Sequence, residues 1–391
     1  MSDTQKNKKP NVPNLRFPGF SGEWKVSTLK EECIVNPKTE GLEKEFLYID
    51  LESVAKGRLV KQNIISRNDA PSRAQRVLSK WDIIYQCVRP YQLNNYIIRD
   101  ESTIQRVAST GYAQIRTKHN PDFIYQLLHT KGFTDQVINR CTGTNYPAIN
   151  STDLSGIEIN FPSIHEQAKI GKLLTLIDQR IAIQSKVIED LKKLKTAIGE
   201  RIFKLVQGKQ ISLGDILNER NEKSIKNNQY EVLSSTVTGI YSQREYFNKD
   251  IASANNSGYK IVHQGDIVMS PQNLWMGNIN YNDRFERGIV SPSYKVFSIR
   301  KAFDERYVAF LVKTKKALWE YSLVSEQGAS IVRRNLNYES FLEISFQIPS
   351  YNEQKEVGEM IAAVNSKLLL EQKLLLSLSR QKSYFLSNIF I

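Results

Sequence analysis

The chain has 391 residues, 40% of them hydrophobic, and 54 Lys and Arg against 41 Asp and Glu give a formal net charge of +13. That length suits two or three domains with real cores, and no run approaches the roughly 18 apolar residues of a membrane span, so no membrane partner is expected. Three scattered cysteines, Cys33, Cys87 and Cys141, suit neither a disulfide framework nor a metal site, and no secretory signal opens the chain, which points to the cytoplasm.

In chain order, residues 1–14 are polar and Lys-rich and are expected to be a disordered tail. Residues 15–161 alternate short apolar runs with turn residues and predict a mixed α/β (α+β) domain. Within it, Lys80-Trp81-Asp82-Ile83-Ile84-Tyr85 reads as a strand and Phe123–Leu128 as a short helix. Residues 162–205 predict one long helix opened by Pro162-Ser163-x-x-Glu166-Gln167, whose Ser163 and Glu166 have capping-box spacing. Its seam is Ile170, Leu174, Ile177, Ile181, Gln184, Ile188, Leu191, Lys195, Ile198 and Ile202, a heptad pattern that favours a coiled coil. Residues 206–348 predict a second mixed domain, and 349–391 a second long helix opened by Pro349-Ser350-x-x-Glu353-Gln354.

The two halves repeat. A shift of 187 residues lays Ile157–Phe203 on Ile344–Phe390 without a gap, and even the polar breaks coincide, Gln184 with Glu371 and Lys195 with Lys382. Outside the helices the repeat is fainter. The Asp82 strand resembles Gln264-Gly265-Asp266-Ile267-Val268-Met269, and Thr142-Gly143-Thr144 resembles Gln327-Gly328-Ala329. The pattern leaves open whether the helices pack parallel or antiparallel.

The loops diverge at equivalent places. After the Asp82 strand come Arg89, Tyr91, Gln92 and Asn94; after the Asp266 strand come Gln272, Asn273, Trp275 and Asn278. Asn145-Tyr146 and Arg333-Arg334 follow the two glycine turns, and Arg73 and Arg76 precede the first strand. Arg is the side chain that pairs with guanine edges, and Asn and Gln pair with adenine. Residues 51–150 hold 14 Lys and Arg against 7 Asp and Glu, so the excess charge accompanies these loops and suits a phosphate backbone. These fourteen residues are the candidate DNA contacts.

The chain resembles the specificity subunit of type I restriction–modification systems over nearly its whole length. The resemblance rests on Leu15-Arg16-Phe17-Pro18-Gly19-Phe20…Trp24, on the two Pro-Ser-x-x-Glu-Gln helices and on the paired Asp82 and Gly265-Asp266-Ile267 strands; the first strand has Trp81 in the glycine's place. It implies two target-recognition domains, each reading one half of a bipartite asymmetric site on double-stranded DNA. The helices would form an antiparallel coiled coil that holds the domains apart about a pseudo-two-fold and sets the spacer. Two methyltransferase subunits would dock on the chain, and restriction subunits would join that core. S-adenosylmethionine, ATP and Mg2+ are expected on those partners, with no cofactor in this chain.

The residues argue against chemistry of its own. No Pro-Pro loop of an adenine N6 methyltransferase is present, and Glu32, Gln86 and Arg140 precede the cysteines where a cytosine methyltransferase needs proline. Gly171-Lys172 and Gly208-Lys209 lack the first glycine of a phosphate loop, Asp122 is followed by no nuclease Asp/Glu-x-Lys, and His165 has no zinc-binding partner. The reading is a non-catalytic, sequence-specific DNA-recognition subunit. The alternatives are a coiled-coil scaffold that does not read sequence, or a stand-alone DNA-modifying enzyme.

Overall fold

The computed structural model describes residues 10–38, 41–205, 208–247, 255–327 and 333–391. The chain divides into two compact units, 1–185 with 373–391, and 186–372. Two long helices contribute to both: the first runs Ile164–Leu205 (42 residues) and the second Tyr351–Ile389 (39 residues). At about 1.5 Å per residue they are about 63 and 58 Å long.

In the first unit a four-stranded antiparallel sheet is ordered Cys33–Val35, Tyr112–Thr117, Ile83–Gln86, Tyr96–Ile97. A second sheet is ordered Asn63–Ser66, Glu45–Ile49, Gln105–Ser109, Ala74–Leu78, with its central pair parallel. The strands Lys25–Thr28 and Glu158–Phe161 pair antiparallel just before the first long helix. The second unit repeats the first and third of these. Its sheet is ordered Leu217–Arg220, Lys295–Ile299, Ile267–Met269, Ile279–Tyr281, and Lys209–Ser212 pairs with Ser345–Ile348 just before the second long helix. The duplication expected from the helices therefore extends to the sheets, where sequence identity has nearly vanished.

Both buried aspartates serve one purpose. Asp82 (1% exposed) accepts the Ser79 N–H at 2.8 Å, and Asp266 (2%) accepts that of His263 at 2.8 Å. Each is neutralised by an arginine: Arg116 forks onto Asp82 at 2.8 and 2.7 Å, and Arg220 Nε lies 3.1 Å from Asp266. The turn ahead of each strand is left-handed, with φ +91° at Gly265 and +71° at Trp81. Trp81 thus occupies a glycine position in conformation as well as in sequence, which is costly for a residue with a Cβ.

The Pro-Ser-x-x-Glu-Gln segments are where the long helices are clamped to their units. Gln167 (2% exposed) donates to the Pro162 carbonyl at 3.0 Å and accepts the Asn120 N–H at 3.3 Å. Gln354 (3%) repeats both, with the Pro349 carbonyl at 3.0 Å and the Asp304 N–H at 3.0 Å. Asn120 and Asp304 are themselves the N-caps of the short helices Pro121–Leu127 and Glu305–Leu311. Each glutamine so ties one helix start to another. The expected capping boxes are split between the copies. Ser163 Oγ accepts the Glu166 N–H at 3.3 Å, but the Glu166 carboxylate turns to Arg16. In the second copy Glu353 accepts the Ser350 N–H at 2.9 Å and its hydroxyl at 2.7 Å.

Arg16 explains the opening motif. It holds Glu166 (1% exposed) through two 2.8 Å bonds and donates to the carbonyls of Ser21 and Gly22. The Leu15 N–H bonds the Asn388 carbonyl at 2.8 Å, and Trp24 sets its ring edge-on to Phe123 and Phe390. Of the segment 1–14 expected to be disordered, residues 1–9 lie outside the described residues. From Pro10 onward the expectation is corrected, because Asn11 donates to the Trp24 carbonyl and to Asn160 Oδ1.

The helix direction left open by the pattern is decided in the first unit. Ile170, Leu174 and Ile177 share a core with Ile389 and Phe390, while Asp178, further along, pairs with Lys382 at 2.6 Å. Numbers rise on one helix as they fall on the other, so the pair is antiparallel. The seam keeps its period: Ile170, Leu174, Ile177, Gln184 and Ile188 are buried on the first helix, and Ile361, Leu378 and Ile389 on the second. Among the described residues no helix is long and apolar enough to cross a membrane.

Candidate nucleic-acid interface

The strand Ile83–Gln86 ends on a buried amide that shapes the loop after it. Gln86 (3% exposed) donates to the Val88 carbonyl at 2.7 Å and to Gln92 Oε1 at 2.9 Å, and its own Oε1 accepts the Asn94 N–H. Its backbone N–H goes to Asn95 Oδ1 at 2.8 Å. The loop is thereby wound into a 3₁₀ turn, Pro90–Gln92, between two left-handed residues, Arg89 (φ +54°) and Leu93 (φ +53°). On its far side the segment pairs with residues after the glycine turn: Val88 bridges Ala148, and the Arg89 N–H bonds the Pro147 carbonyl at 2.8 Å. This register lays the Arg89 guanidinium over the Tyr146 ring, 4.3 Å from its centroid. Tyr146 is 65% exposed, so the stack stands at the surface.

The second unit reaches the same pairing with the roles exchanged. After Ile267–Met269 the chain forms the 3₁₀ segment Pro271–Met276 and turns back at Gly277 (φ +88°). The strand Arg334–Leu336 pairs with Ser325–Gln327, and the Arg334 guanidinium lies 4.1 Å from the centroid of the Trp275 ring. In the first unit the arginine comes from the post-strand loop and the aromatic from the segment after the glycine turn. In the second the aromatic comes from the post-strand loop and the arginine from the strand Arg334–Leu336. A guanidinium on an aromatic face keeps its planar fork of donors while losing rotamer freedom.

The other candidates divide. Tyr91, Gln92, Asn145, Gln272 and Arg333 are exposed beside these stacks, and Gln92 already spends its Oε1 on Gln86. Arg73 is exposed and Arg76 half-buried at the strand Ala74–Leu78, in the other sheet, and burial holds the Arg76 guanidinium below its usual pKa. Asn94 is half-buried, and its Oδ1 accepts the Lys56 N–H at 3.1 Å. Asn273 is also half-buried, with its Oδ1 shut away from solvent.

Asn278 is a correction. It is 5% exposed and exchanges both side-chain bonds with Ser235, donating to its carbonyl at 2.9 Å and accepting its hydroxyl at 2.7 Å. No amide edge is left for a ligand, because the loop turns inward at Gly277 and delivers the next residue into the core.

Two titratable groups at equivalent places, half-buried His129 and Lys313, whose ammonium turns back onto the protein, escaped the sequence reading. His129 donates from Nδ1 to the Tyr125 carbonyl at 2.6 Å and lies 3.3 Å from the Asn95 amide through Nε2; burial pushes its pKa down to about 4. Lys313 fills the matching position and donates to the carbonyls of Val237 and Gly277 and to Asn280 Oδ1, all within 2.9 Å. Burial, and then nearby Lys195, lower its pKa to about 8. Both brace their loop from behind. The one signal in sequence was a titratable residue one position past the C-cap of each short helix.

Comparison with known proteins agrees with this architecture. Residues 22–193 match the family model described as the type I restriction modification DNA specificity domain. That match spans just under half of the chain and agrees with the resemblance drawn from the motifs. In domain content and in fold the chain is similar to type I specificity subunits. It is 24% identical over 162 residues to the HindI specificity subunit of Haemophilus influenzae, covering 40% of this chain and 35% of that protein. It is 23% identical over 250 residues to the putative MjaX specificity subunit of Methanocaldococcus jannaschii, covering 59% and 57%. The chain thus spans between a third and just over half of the curated relatives it matches. In fold it is similar to the crystal structure of a type I S subunit from M. genitalium, with TM-score 0.63, 16% identity, and 97% and 99% of the two chains covered. A chain from a study of type I complex assembly and conformational transition gives TM-score 0.53 at 18% identity, with 96% and 99% covered.

Proposed function

We propose that this chain is the sequence-specific DNA-recognition subunit of a type I restriction–modification complex, each unit reading one half of a bipartite site in double-stranded DNA. The observation that carries the proposal is the Arg–aromatic stack at equivalent loops of both units, half-buried Arg89 on exposed Tyr146 and half-buried Arg334 on half-buried Trp275. Surface lysines and arginines neutralise phosphates and supply salt-dependent affinity without sequence preference. The stacked guanidiniums, already oriented, present two parallel donors that match guanine O6 and N7. Tyr91, Gln92, Asn145, Gln272 and Arg333 lie within the same loops and extend each reading surface.

In this reading the chain is non-catalytic. Its helices set the spacer between half-sites and dock two methyltransferase subunits through their exposed faces and the Pro162 and Pro349 segments. Restriction subunits join that core, S-adenosylmethionine, ATP and Mg2+ belong to the partners, and the complex works in the cytoplasm.

The test is single-molecule methylation sequencing of DNA from cells that express the chain with its neighbouring methyltransferase. Adenine methylation at one bipartite motif with a fixed spacer, lost when the chain is omitted, is expected. Arg89→Ala should relax one base of one half-site, and Arg334→Ala one base of the other, each by about 1–3 kcal/mol of discrimination. Methylation that proceeds unchanged without the chain would reject the proposal.

A further inference from the structure

A cavity of about 340 Å³ opens within the second unit between Lys195–Glu200 of the first long helix and Phe310–Lys316. Four lysines line it, Lys195, Lys313, Lys315 and Lys316, with one carboxylate, Glu200. That carboxylate pairs with Lys315 at 3.1 Å, and Lys313 spends its donors on carbonyl and amide oxygens. The Lys316 ammonium lies 5.8 Å from the centroid of the Phe346 ring. Lys195 sits half-buried in the helix seam, and among the described residues no hydrogen bond or ion pair reaches its ammonium. Burial accordingly lowers its pKa.

The first unit shows how the same position can be satisfied. Lys382, 187 residues further along, pairs with Asp178 at 2.6 Å, and Asp178 also accepts the Gln126 amide at 2.7 Å. In the second copy the aspartate's counterpart is Asn365 and the glutamine's counterpart is Phe310. The lysine is retained while both of its compensating partners are gone. A desolvated ammonium without a counter-charge is costly, and an anion from outside removes that cost.

We infer that this cavity binds a phosphate group, held by Lys195 and Lys316. Two ammonium groups call for more than one negative charge. The space exceeds a lone phosphate, and the Phe310 wall suits a sugar or base attached to it. A soluble nucleotide and the backbone of bound DNA both offer that chemistry. Lys195 and Lys316, unlike Lys313, make no contact with the loops assigned to base reading among the described residues, so either role can fail without the other.

The experiment is thermal unfolding of the full chain in increasing inorganic pyrophosphate, at ionic strength held constant with chloride. A saturable rise in Tm is expected. Lys195→Met should weaken the response by roughly tenfold or more, the loss of one charge-assisted contact. Asn365→Asp, which restores the first unit's counter-charge, should do the same with the lysine intact. Lys382→Met should leave the response unchanged. No saturable response, or equal responses from the wild type and Lys195→Met, would overturn the inference. Repeating the titration with ATP and with a short DNA duplex identifies the source. A response to ATP with unaltered DNA affinity in Lys195→Met assigns a nucleotide. Weakened DNA binding with a salt dependence flatter by about one counterion assigns the backbone.

Discussion

Replacing Gly171 by alanine tests why a glycine recurs in both long helices. A Cβ there would lie 2.6 Å from Asn120 Oδ1, 2.9 Å from the Phe123 nitrogen and 3.0 Å from Asp122 Cβ. These atoms form the N-cap of the helix Pro121–Leu127, where Asn120 Oδ1 accepts the Phe123 N–H at 3.0 Å. Overpacking of this kind costs about 1–3 kcal/mol, and a lost N-cap adds about 1 kcal/mol. Alanine regains about 1 kcal/mol of helix propensity, so the net is a loss of about 1–3 kcal/mol. Gly358 meets the equivalent cap, with Asp304 Oδ1 at 2.5 Å and the Tyr307 nitrogen at 3.1 Å, so Gly358→Ala should cost the same. Gly132→Ala is the control, because its Cβ would meet nothing within 4 Å and should be neutral or slightly stabilising. Hydrogen exchange read by mass spectrometry localises the effect. Gly171→Ala should speed exchange in residues 121–127 and leave 305–311 alone, and Gly358→Ala should do the converse. Protection as high as wild type in both variants would refute the idea that these glycines exist for close approach.

Arg16→Ala leaves the Glu166 carboxylate buried and unpaired, and should lower stability in urea by about 3–5 kcal/mol, with Glu166→Gln in the same background recovering part of the loss. Trp81→Gly should be at least as stable as Trp81→Val, although valine keeps more apolar surface, because a β-branched residue at φ +71° adds strain that glycine avoids; the reverse order in melting temperature would show that the turn is unstrained. His129 has a folded pKa of about 4 against about 6.5 when unfolded, so the unfolded chain binds the extra proton between those values. Stability should therefore fall as pH drops from about 6.5 to about 4, and the difference in melting temperature between the wild type and His129→Gln should shrink over that range.

The periodic and local features are legible in the amino-acid order itself. An i, i+3, i+4 seam needs only its own residues to declare a helix, and the 187-residue repeat declares two of them together with two similar domains. The capping serines and the apolar strand around Asp82 are equally local signals. The polar breaks in the seam are visible too. That Lys382 has Asp178 while, among the described residues, Lys195 has no such partner is not, because it depends on which helix face meets which.

Tertiary structure alone decided the site. Arg89 meets Tyr146, and Trp275 meets Arg334, across long stretches of sequence, and only the pairing of each loop with a segment distant in the chain brings them together. Asn278 and Asn94 looked like surface amides because composition cannot tell a loop that faces solvent from one that turns into the core. The physical reason is common to both cases. A helix period is written in neighbouring residues, whereas the exposure of a loop side chain is set by distant backbone groups that compete for its hydrogen bonds.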